Sequence, residues 1–295
     1  MGTARFVPHP EATWLRGIPF VKYYADNWEI VEAFKARADD LLIVTYPKSG
    51  TTWVSEIVDQ ILNNGDMEKC QRDAIHNRVP FLESAAPGAL SGTDKLTALP
   101  SPRVIKTHLP VQHLPQSFWD NDCKVIYVAR NAKDVAVSYF YFCKMALVLP
   151  EPGTWEEFLD KFMTGEVVFG SWYDHVKGWW KKQQEQSILY LSYEDLKEDP
   201  KREILRILQF MEKEVSEEVL EKIIHATSFR EMKQNPMANY SMTPAHFMDH
   251  SISPFMRKGI AGDWKNQFTV AQKESFDEDY KMKMATSELR FRDEL

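Results

Sequence analysis

The sequence has little cysteine and no long apolar run. Its 295 residues include three cysteines, Cys70, Cys123 and Cys143, and this odd, scattered set predicts neither a disulfide framework nor a zinc site. No apolar run approaches the ~18 residues of a membrane span, and the first residues lack the apolar core of a signal peptide. We therefore expect a cytoplasmic protein that does not associate with membranes.

The chain also lacks an excess of positive charge. Its 36 Lys and Arg residues against 43 Asp and Glu give a formal net charge of −7, so the surface as a whole should repel nucleic acid and anionic membranes. Any site for an anion must therefore be a local basic pocket in an acidic protein. With 44% hydrophobic and 13% aromatic residues, the rest of the composition is that of an ordinary globular protein.

The segment TYPKSGTTW at residues 45–53 is the most informative stretch. It follows the apolar run 41–44, typical of a buried strand, and precedes apolar residues at helical spacing that stop at Asn63. A loop that leads from a strand into a helix N-terminus presents backbone N–H groups to an anion, and Lys48 adds a positive charge. The order is not that of a Walker A loop, because Lys48 precedes Gly50. The loop predicts a phosphate or sulfate site, with an ordinary strand–helix turn as the alternative.

Short apolar or β-branched runs predict four strands, at residues 41–46, 103–107, 124–129 and 188–192. Helical patterns lie between and after them. Strands that alternate with helices predict a parallel sheet with helices on both faces. In such sheets ligands bind at the carboxyl ends of the strands, which is where the loop at 45–53 lies.

Helix-start signals and loop composition complete the expected organisation. The predicted helices are 155–163 after a capping box of Thr154 and Glu157, 200–212 after Asp199, and 270–285 after a capping box of Thr269 and Gln272. Residues 84–102 and 234–262, which contain several Gly, Ser or Pro, predict long loops of the kind that often cover a binding site.

Two more strand ends carry charged or titratable side chains. Lys106 and His108 end the second predicted strand, and because residues i and i+2 of an extended chain face the same side, they can converge on one point. Arg130 ends the third strand and Ser138 follows on a helix, which suits a second phosphate well separated from the first. The basic pair 257–258 before two glycines predicts a loop that closes over an anion, with a solvated basic turn as the alternative.

Five segments together match a known family. They are TYPKSGTTW at 45–53, KTHLP at 106–110, YVARNAKDVAVSY at 127–139, PEPGTWEEF at 150–158 and FMRKGIAGDWKNQFTVAQ at 255–272. On these segments, which span almost the whole chain, the sequence resembles the cytosolic sulfotransferases and in particular their phenol/estrogen (aryl) branch. The resemblance implies a single α/β domain over residues 1–295, with a central parallel sheet flanked by helices and a P-loop-like phosphosulfate-binding loop.

The resemblance also implies a donor and its site. The donor is 3′-phosphoadenylyl sulfate (PAPS), the product is adenosine 3′,5′-bisphosphate (PAP), and no metal takes part. The implied donor-binding residues are Lys48, Ser49, Gly50, Thr51, Thr52, Trp53, Arg130, Ser138, Tyr193, Thr227, Phe229, Phe255, Met256, Arg257, Lys258 and Gly259. Within this set residues 48–53 would hold the 5′-phosphosulfate, and Arg130, Ser138 and 257–259 would hold the 3′-phosphate.

The implied acceptors are small hydrophobic molecules that carry a hydroxyl group. The acceptor-binding residues by family position are Tyr24, Phe81, Ser84, Ala89, Lys106, His108, Phe142, Ala146, Val148, Tyr240, Phe247 and Met248. Most are apolar or aromatic, which suits a flat phenol or a steroid. No carboxylate is among them, so a cationic amine gains no obvious ion pair, and the preferred acceptor and the subfamily stay open.

The expected chemistry agrees with these assignments. Transfer of SO₃ to a hydroxyl needs a base for the acceptor proton, and His108 has a suitable unperturbed pKa. It also needs cations where charge builds on the leaving oxygen, a role that suits Lys48 and Lys106. By family position Ser138 belongs to the same catalytic set.

Three other expectations remain to be weighed. Lys265, Thr269, Val270 and Glu274 fit the family's dimerisation pattern KxxxTVxxxE, so we expect a homodimer. A nucleotide kinase or NTPase could use the same sheet and loop, but the GK[ST] order with its metal-holding hydroxyl is missing. A non-enzymatic binder is a third possibility, against which His108 and the two lysines argue.

Overall fold

The computed structural model describes residues 7–295. Six strands lie in this range: β1 (Ala12–Leu15), β2 (Ile18–Val21), β3 (Leu41–Thr45), β4 (Val104–Thr107), β5 (Lys124–Ala129) and β6 (Ile188–Ser192). Strands β3 to β6 form a parallel sheet in the order β4-β3-β5-β6. This confirms the predicted parallel sheet, and each of the four predicted strands agrees to within one residue at either end.

Helices cover both faces of this sheet. They are α1 (Lys22–Asp26), α2 (Trp28–Glu32), α3 (Thr51–Leu62), α4 (Met67–Cys70), α5 (Ile75–Arg78), α6 (Gly92–Ala98), α7 (Gln116–Asp120), α8 (Ala132–Met145), α9 (Trp155–Thr164), α10 (Trp172–Lys182), α11 (Tyr193–Glu198), α12 (Pro200–Phe210), α13 (Glu217–Ala226), α14 (Phe229–Gln234) and α15 (Val270–Met284). Within residues 7–295, none of the helices has both the length and the apolar character that crossing a bilayer requires.

The side chains of the sheet alternate between two apolar cores. On β3, Leu42 and Val44 face one core, whereas Leu41 and Ile43 face the other, and the same alternation runs along β5. A strand buried on both faces has no polar side, which is why the sequence reads as a continuous apolar run. The loops that follow the strands are therefore the places where polar side chains can collect.

Of the helix starts and loops predicted from the sequence, some agree with the structure and some do not. Both predicted capping boxes are present, at the starts of α9 and α15, and α12 begins at Pro200 behind its Asp199 cap. Residues 235–262 contain no helix or strand, as predicted, but the predicted loop at 84–102 contains α6. The antiparallel hairpin β1–β2 was not predicted, because its strands are only four residues long and one contains Pro19.

Helix α3 is fixed to the core by charge as well as by apolar packing. Its buried Glu56 and Asp59 both pair with the buried guanidinium of Arg78, and the Arg78–Asp59 contact is 2.5 Å. A buried arginine that satisfies two buried carboxylates tolerates little displacement, because each partner would be left uncompensated. The N-terminus of α3, and the loop that leads into it, therefore have a rigid support.

Candidate active site

A cavity of about 450 Å³ opens at the carboxyl ends of the parallel strands. Its lining includes one residue that follows each strand end: Lys48 after β3, His108 after β4, Arg130 after β5 and Tyr193 after β6. The sheet topology thus brings together side chains that are far apart in the sequence. This is the edge at which the sequence predicted a ligand.

Nearly all the predicted donor and acceptor residues line this cavity. The exceptions are Ser49, Lys106 and Ala146, which are completely buried. Ala146 packs in the core and its backbone pairs with Met248, so the structure does not bring its side chain to the cavity. Ser49 and Lys106 lie directly behind lining residues.

The loop between β3 and α3 has the geometry of an anion cradle. Lys48 and Gly50 have positive φ angles of 68° and 107°, which turn the chain sharply before α3 begins at Thr51. A side chain at Gly50 would lie 3.0 Å from the ring of Tyr193. No side chain caps the N-terminus of α3, so its first N–H groups stay available to an anion.

The ammonium group of Lys48 lies between two aromatic rings. Its Nζ is 4.2 Å from the ring centroids of both Phe142 and Phe255. Burial lowers the pKa of Lys48 to about 7, and the nearby charges of Arg130 and Arg257 contribute to the lowering. An anion in the cradle would reverse this effect, because it favours the charged ammonium.

A second group of cations lies beside the first. The guanidinium of Arg130 rests 4.3 Å from the ring centroid of Tyr193 and donates hydrogen bonds to the carbonyls of Lys48 and Ile260. The guanidinium of Arg257 pairs with Asp263 at 2.5 Å.

Buried donors near these cations lack partners. Among residues 7–295, the buried Nε atoms of Arg130 and Arg257 and the Oγ of Ser49 have no hydrogen-bond partner. Buried polar atoms are normally satisfied, so unpartnered donors beside a cavity fit a ligand that brings acceptors. The residues present therefore fit a ligand with two separated anionic groups.

Aromatic rings form one wall of the cavity. Trp53 and Tyr193 pack edge to face with ring centroids 5.5 Å apart. Gly259 has a φ of 66°, and a Cβ there would come within 2.1 Å of the Phe229 ring. Only glycine lets the loop approach that ring so closely. This wall suits a flat heterocycle.

His108 is held with its Nε2 atom available. Its Nδ1 lies 2.8 Å from the carbonyl oxygen of Thr45, which can only accept, so Nδ1 carries the hydrogen and Nε2 the lone pair. The ring lies between Phe81 and Phe169, at centroid distances of 4.7 and 5.3 Å. Burial lowers the pKa of His108 to about 3, so the imidazole is neutral at physiological pH with its lone pair free, although the same burial makes it a weaker base than an exposed histidine.

Lys106 lies next to His108, as the i, i+2 spacing predicts. Its Nζ donates to the hydroxyl of Tyr240 at 3.1 Å and lies 4.7 Å from the centroid of Phe81. Phe81 therefore contacts both Lys106 and His108.

Several residues that support this arrangement were not predicted. Glu83 is buried and accepts hydrogen bonds from the backbone N–H of His108 at 2.7 Å and from the hydroxyl of Thr107 at 2.8 Å. Burial raises the pKa of Glu83 to about 7. His175, from α10, hydrogen-bonds the carbonyl of His108 at 3.1 Å. The one sequence signal was a lone carboxylate, Glu83, after the apolar run 79–82.

A sulfotransferase-domain family model matches residues 38–288 of the chain. The chain belongs to the sulfotransferase family. It is 64% identical to mouse sulfotransferase 1 family member D1 over 281 residues, which are 95% of each protein. It is 60% identical to dog sulfotransferase 1B1, again over 95% of each protein, and 58% identical to bovine sulfotransferase 1A1 over 97% of each.

Solved structures of the family share the fold. Mouse sulfotransferase SULT7A1, complexed with PAP, is 34% identical, with a TM-score of 0.78 over 94% of this chain and 95% of that one. Retinol dehydratase, in a complex with retinol and PAP, is 25% identical, with a TM-score of 0.84 over 94% of this chain and 90% of that one. Together with the sequence relatives, these findings show that the protein is an enzyme that transfers sulfuryl groups, as the sequence predicts.

Proposed function

We propose that this sulfotransferase transfers the sulfuryl group of PAPS to the hydroxyl of a phenolic or steroid-like small molecule. The proposal rests on two features of the same cavity. One is a pair of cationic groups with unpartnered buried donors, and the other is a neutral histidine that lies between aromatic rings. The PAP in two related structures supports the donor. The apolar and aromatic lining supports a flat acceptor.

The proposed donor site divides by charge. Residues 48–53 hold the 5′-phosphosulfate with the helix N-terminus and Lys48. Arg130, Ser138 and the loop 257–259 hold the 3′-phosphate, and their unpartnered donors support this role. The adenine lies against the wall completed by Trp53, Tyr193, Thr227 and Phe229.

PAPS supplies an activated sulfuryl group, and the side chains of this protein supply the rest. His108 Nε2 accepts the proton of the acceptor hydroxyl, since Nδ1 is committed to the carbonyl of Thr45. Lys48 and Lys106, with Ser138, stabilise the charge that develops on the transferred group and on the leaving phosphate. No step in this scheme assigns a role to a metal ion.

The GK[ST] order of a kinase is missing, and no observation in the structure favours that alternative. Cytoplasmic location and the domain span 1–295 stay predictions.

We also propose a homodimer through the segment 265–274. Val270 is 74% exposed at the first turn of α15, which supports its packing against a second copy. Thr269 caps the helix within its own chain, and Lys265 already pairs with Glu294. Reciprocal pairing of Lys265 with Glu274 of a second copy would therefore require an exchange of partners.

Replacing His108 should separate turnover from donor binding. His108→Ala removes the only proposed proton acceptor, and general-base catalysis is typically worth ~10²–10⁴-fold in rate. We expect kcat with a phenol to fall by at least ~10²-fold while the dissociation constant of PAP, measured by calorimetry, changes little. Near-normal turnover at saturating substrates would contradict the base role.

The two arginines should recognise the 3′-phosphate. A hydrogen bond to a charged group is worth ~1.5–3 kcal/mol, so Arg130→Ala and Arg257→Ala should each weaken PAP binding by ~10-fold or more. Adenosine 5′-monophosphate, which lacks that phosphate, should bind wild type and variants with similar affinity. An equal loss for both nucleotides would place the arginines elsewhere.

The lowered pKa of Lys48 predicts proton uptake on donor binding. At about pH 8 most of the Lys48 side chains are neutral in the free enzyme, and bound phosphates favour the ammonium. Calorimetric titration of PAP in two buffers with different ionisation enthalpies should show uptake of up to ~1 proton. Lys48→Arg, charged at every accessible pH, should bind PAP without it. Equal uptake by both proteins would assign the proton to another group.

A single charge should disrupt the proposed dimer. Val270→Glu places a carboxylate in a contact of about ten residues, small beside the ~20–30 residues a side of a standard interface. It should sediment as a monomer and retain activity, since the donor loops lie within one chain. Met282→Glu, at a 71% exposed position on the same helix, is the matched control and should stay dimeric. A dimeric Val270→Glu variant would exclude this segment as the interface.

A further inference from the structure

We propose that Glu83 is a positioning residue for the catalytic base: its carboxylate fixes the peptide before His108, so that the imidazole Nε2 meets the acceptor hydroxyl. This inference rests on the proposed function, because it assigns the means by which the proposed base is held. Glu83 is 1% exposed at the edge of the cavity, and its carboxyl oxygens accept hydrogen bonds from Thr107 and His108 at the strand end that carries the base.

The backbone places Glu83 beside the base. The carbonyl of Pro80 accepts the N–H of Lys106, and the N–H of Leu82 donates to the carbonyl of Lys106. Residues 80–82 thus lie along the outer edge of β4 as a short extension of the sheet. The next residue, Glu83, consequently reaches the peptide that follows β4.

Three directions of contact hold His108. Its N–H donates to Glu83, its carbonyl oxygen accepts from Nε2 of His175, and its Nδ1 donates to Thr45. The carbonyl of His108 can only accept, so Nε2 of His175 is the donor, and Nδ1 of His175 accepts from the hydroxyl of Tyr127 at 2.8 Å. Of these three contacts, the one with Glu83 is the one made by a carboxyl group.

Glu83 differs from several of the buried carboxylates. Glu56, Asp40 and Glu203 are each paired with an arginine, whereas Glu83, like Glu194, is held by hydrogen bonds and forms no ion pair within the described part of the chain. Both of its oxygens accept hydrogen bonds, so the ionised form is the one that satisfies its neighbours. A buried carboxylate without a cationic partner is costly, and here its hydrogen bonds converge on the strand end that carries Lys106 and His108.

Loss of the hydrogen bond between Glu83 and the N–H of His108 should affect proton transfer rather than donor binding. An acidic phenol such as 4-nitrophenol is partly ionised near neutral pH and needs less help from a base. A weakly acidic phenol such as 4-methylphenol needs the base fully. Misplacement of His108 should therefore slow the second acceptor more than the first, whereas general damage to the fold would slow both equally.

The test compares Glu83→Ala and Glu83→Gln with wild type on both phenols. Since general-base catalysis is worth ~10²–10⁴-fold, we expect Glu83→Ala to lower kcat for 4-methylphenol by at least ~10-fold more than for 4-nitrophenol. Glu83→Gln keeps one oxygen acceptor and should show a smaller difference of the same kind. PAP affinity should stay within about twofold of wild type, since these contacts lie on the acceptor side.

A spectroscopic readout keeps the test independent of turnover. NMR of protein labelled with ¹⁵N-histidine should show His108 of the wild type with a protonated Nδ1 and an unprotonated Nε2. In the Glu83 variants the ¹⁵N chemical shifts of His108 should change. Glu203→Gln, at a buried carboxylate on α12, is the control and should change neither readout. Equal losses on the two phenols, or an unchanged His108 signal in both variants, would overturn the proposal. If wild type used neither phenol, the proposed function would fail while the histidine signal still tested Glu83.

Discussion

The site depends on positive charge that is largely held away from water. Lys48 lies against two aromatic rings, whereas Arg130 lies against the Tyr193 ring and two backbone carbonyls, with the carboxylate of Asp134 at 3.5 Å. Burying charge in this way is unfavourable, and the depressed pKa of Lys48 is one measure of that cost. The surrounding structure is arranged to keep these cations close together, and a doubly anionic donor would relieve the strain.

The parallel sheet makes this arrangement possible. The middle strands β3 and β5 are buried on both faces along nearly their whole length, so Lys48, His108 and Arg130 stand one to three residues beyond the strand ends. Lys106 is the charged side chain of the site that lies on a strand, and it is covered by Phe81 and Tyr240. Helix α3 adds its open N-terminus and is anchored by the Arg78 ion pairs. In an acidic protein the result is one local basic pocket.

The parts of the site that sequence could predict are those set by local rules. The strand, the turn at Lys48 and Gly50, and the i, i+2 spacing of Lys106 and His108 are local, and the structure has all of them. Glu83 and His175 could not be predicted, because each contacts His108 only through tertiary packing. Family position predicted Ala146 in the acceptor site, and in the structure this residue is buried and is not part of the cavity lining.

The segment 80–82 that runs along β4 has a consequence for how specificity can change. By pairing with Lys106 it covers the outer edge of the sheet, which would otherwise offer unpaired backbone groups to another chain. Substitutions there would risk aggregation as well as altering Phe81. From Ser84 onward the chain lines the cavity without pairing to a strand. Substitutions at residues 84–89 can therefore reshape the lining of the cavity while the edge of the sheet stays covered.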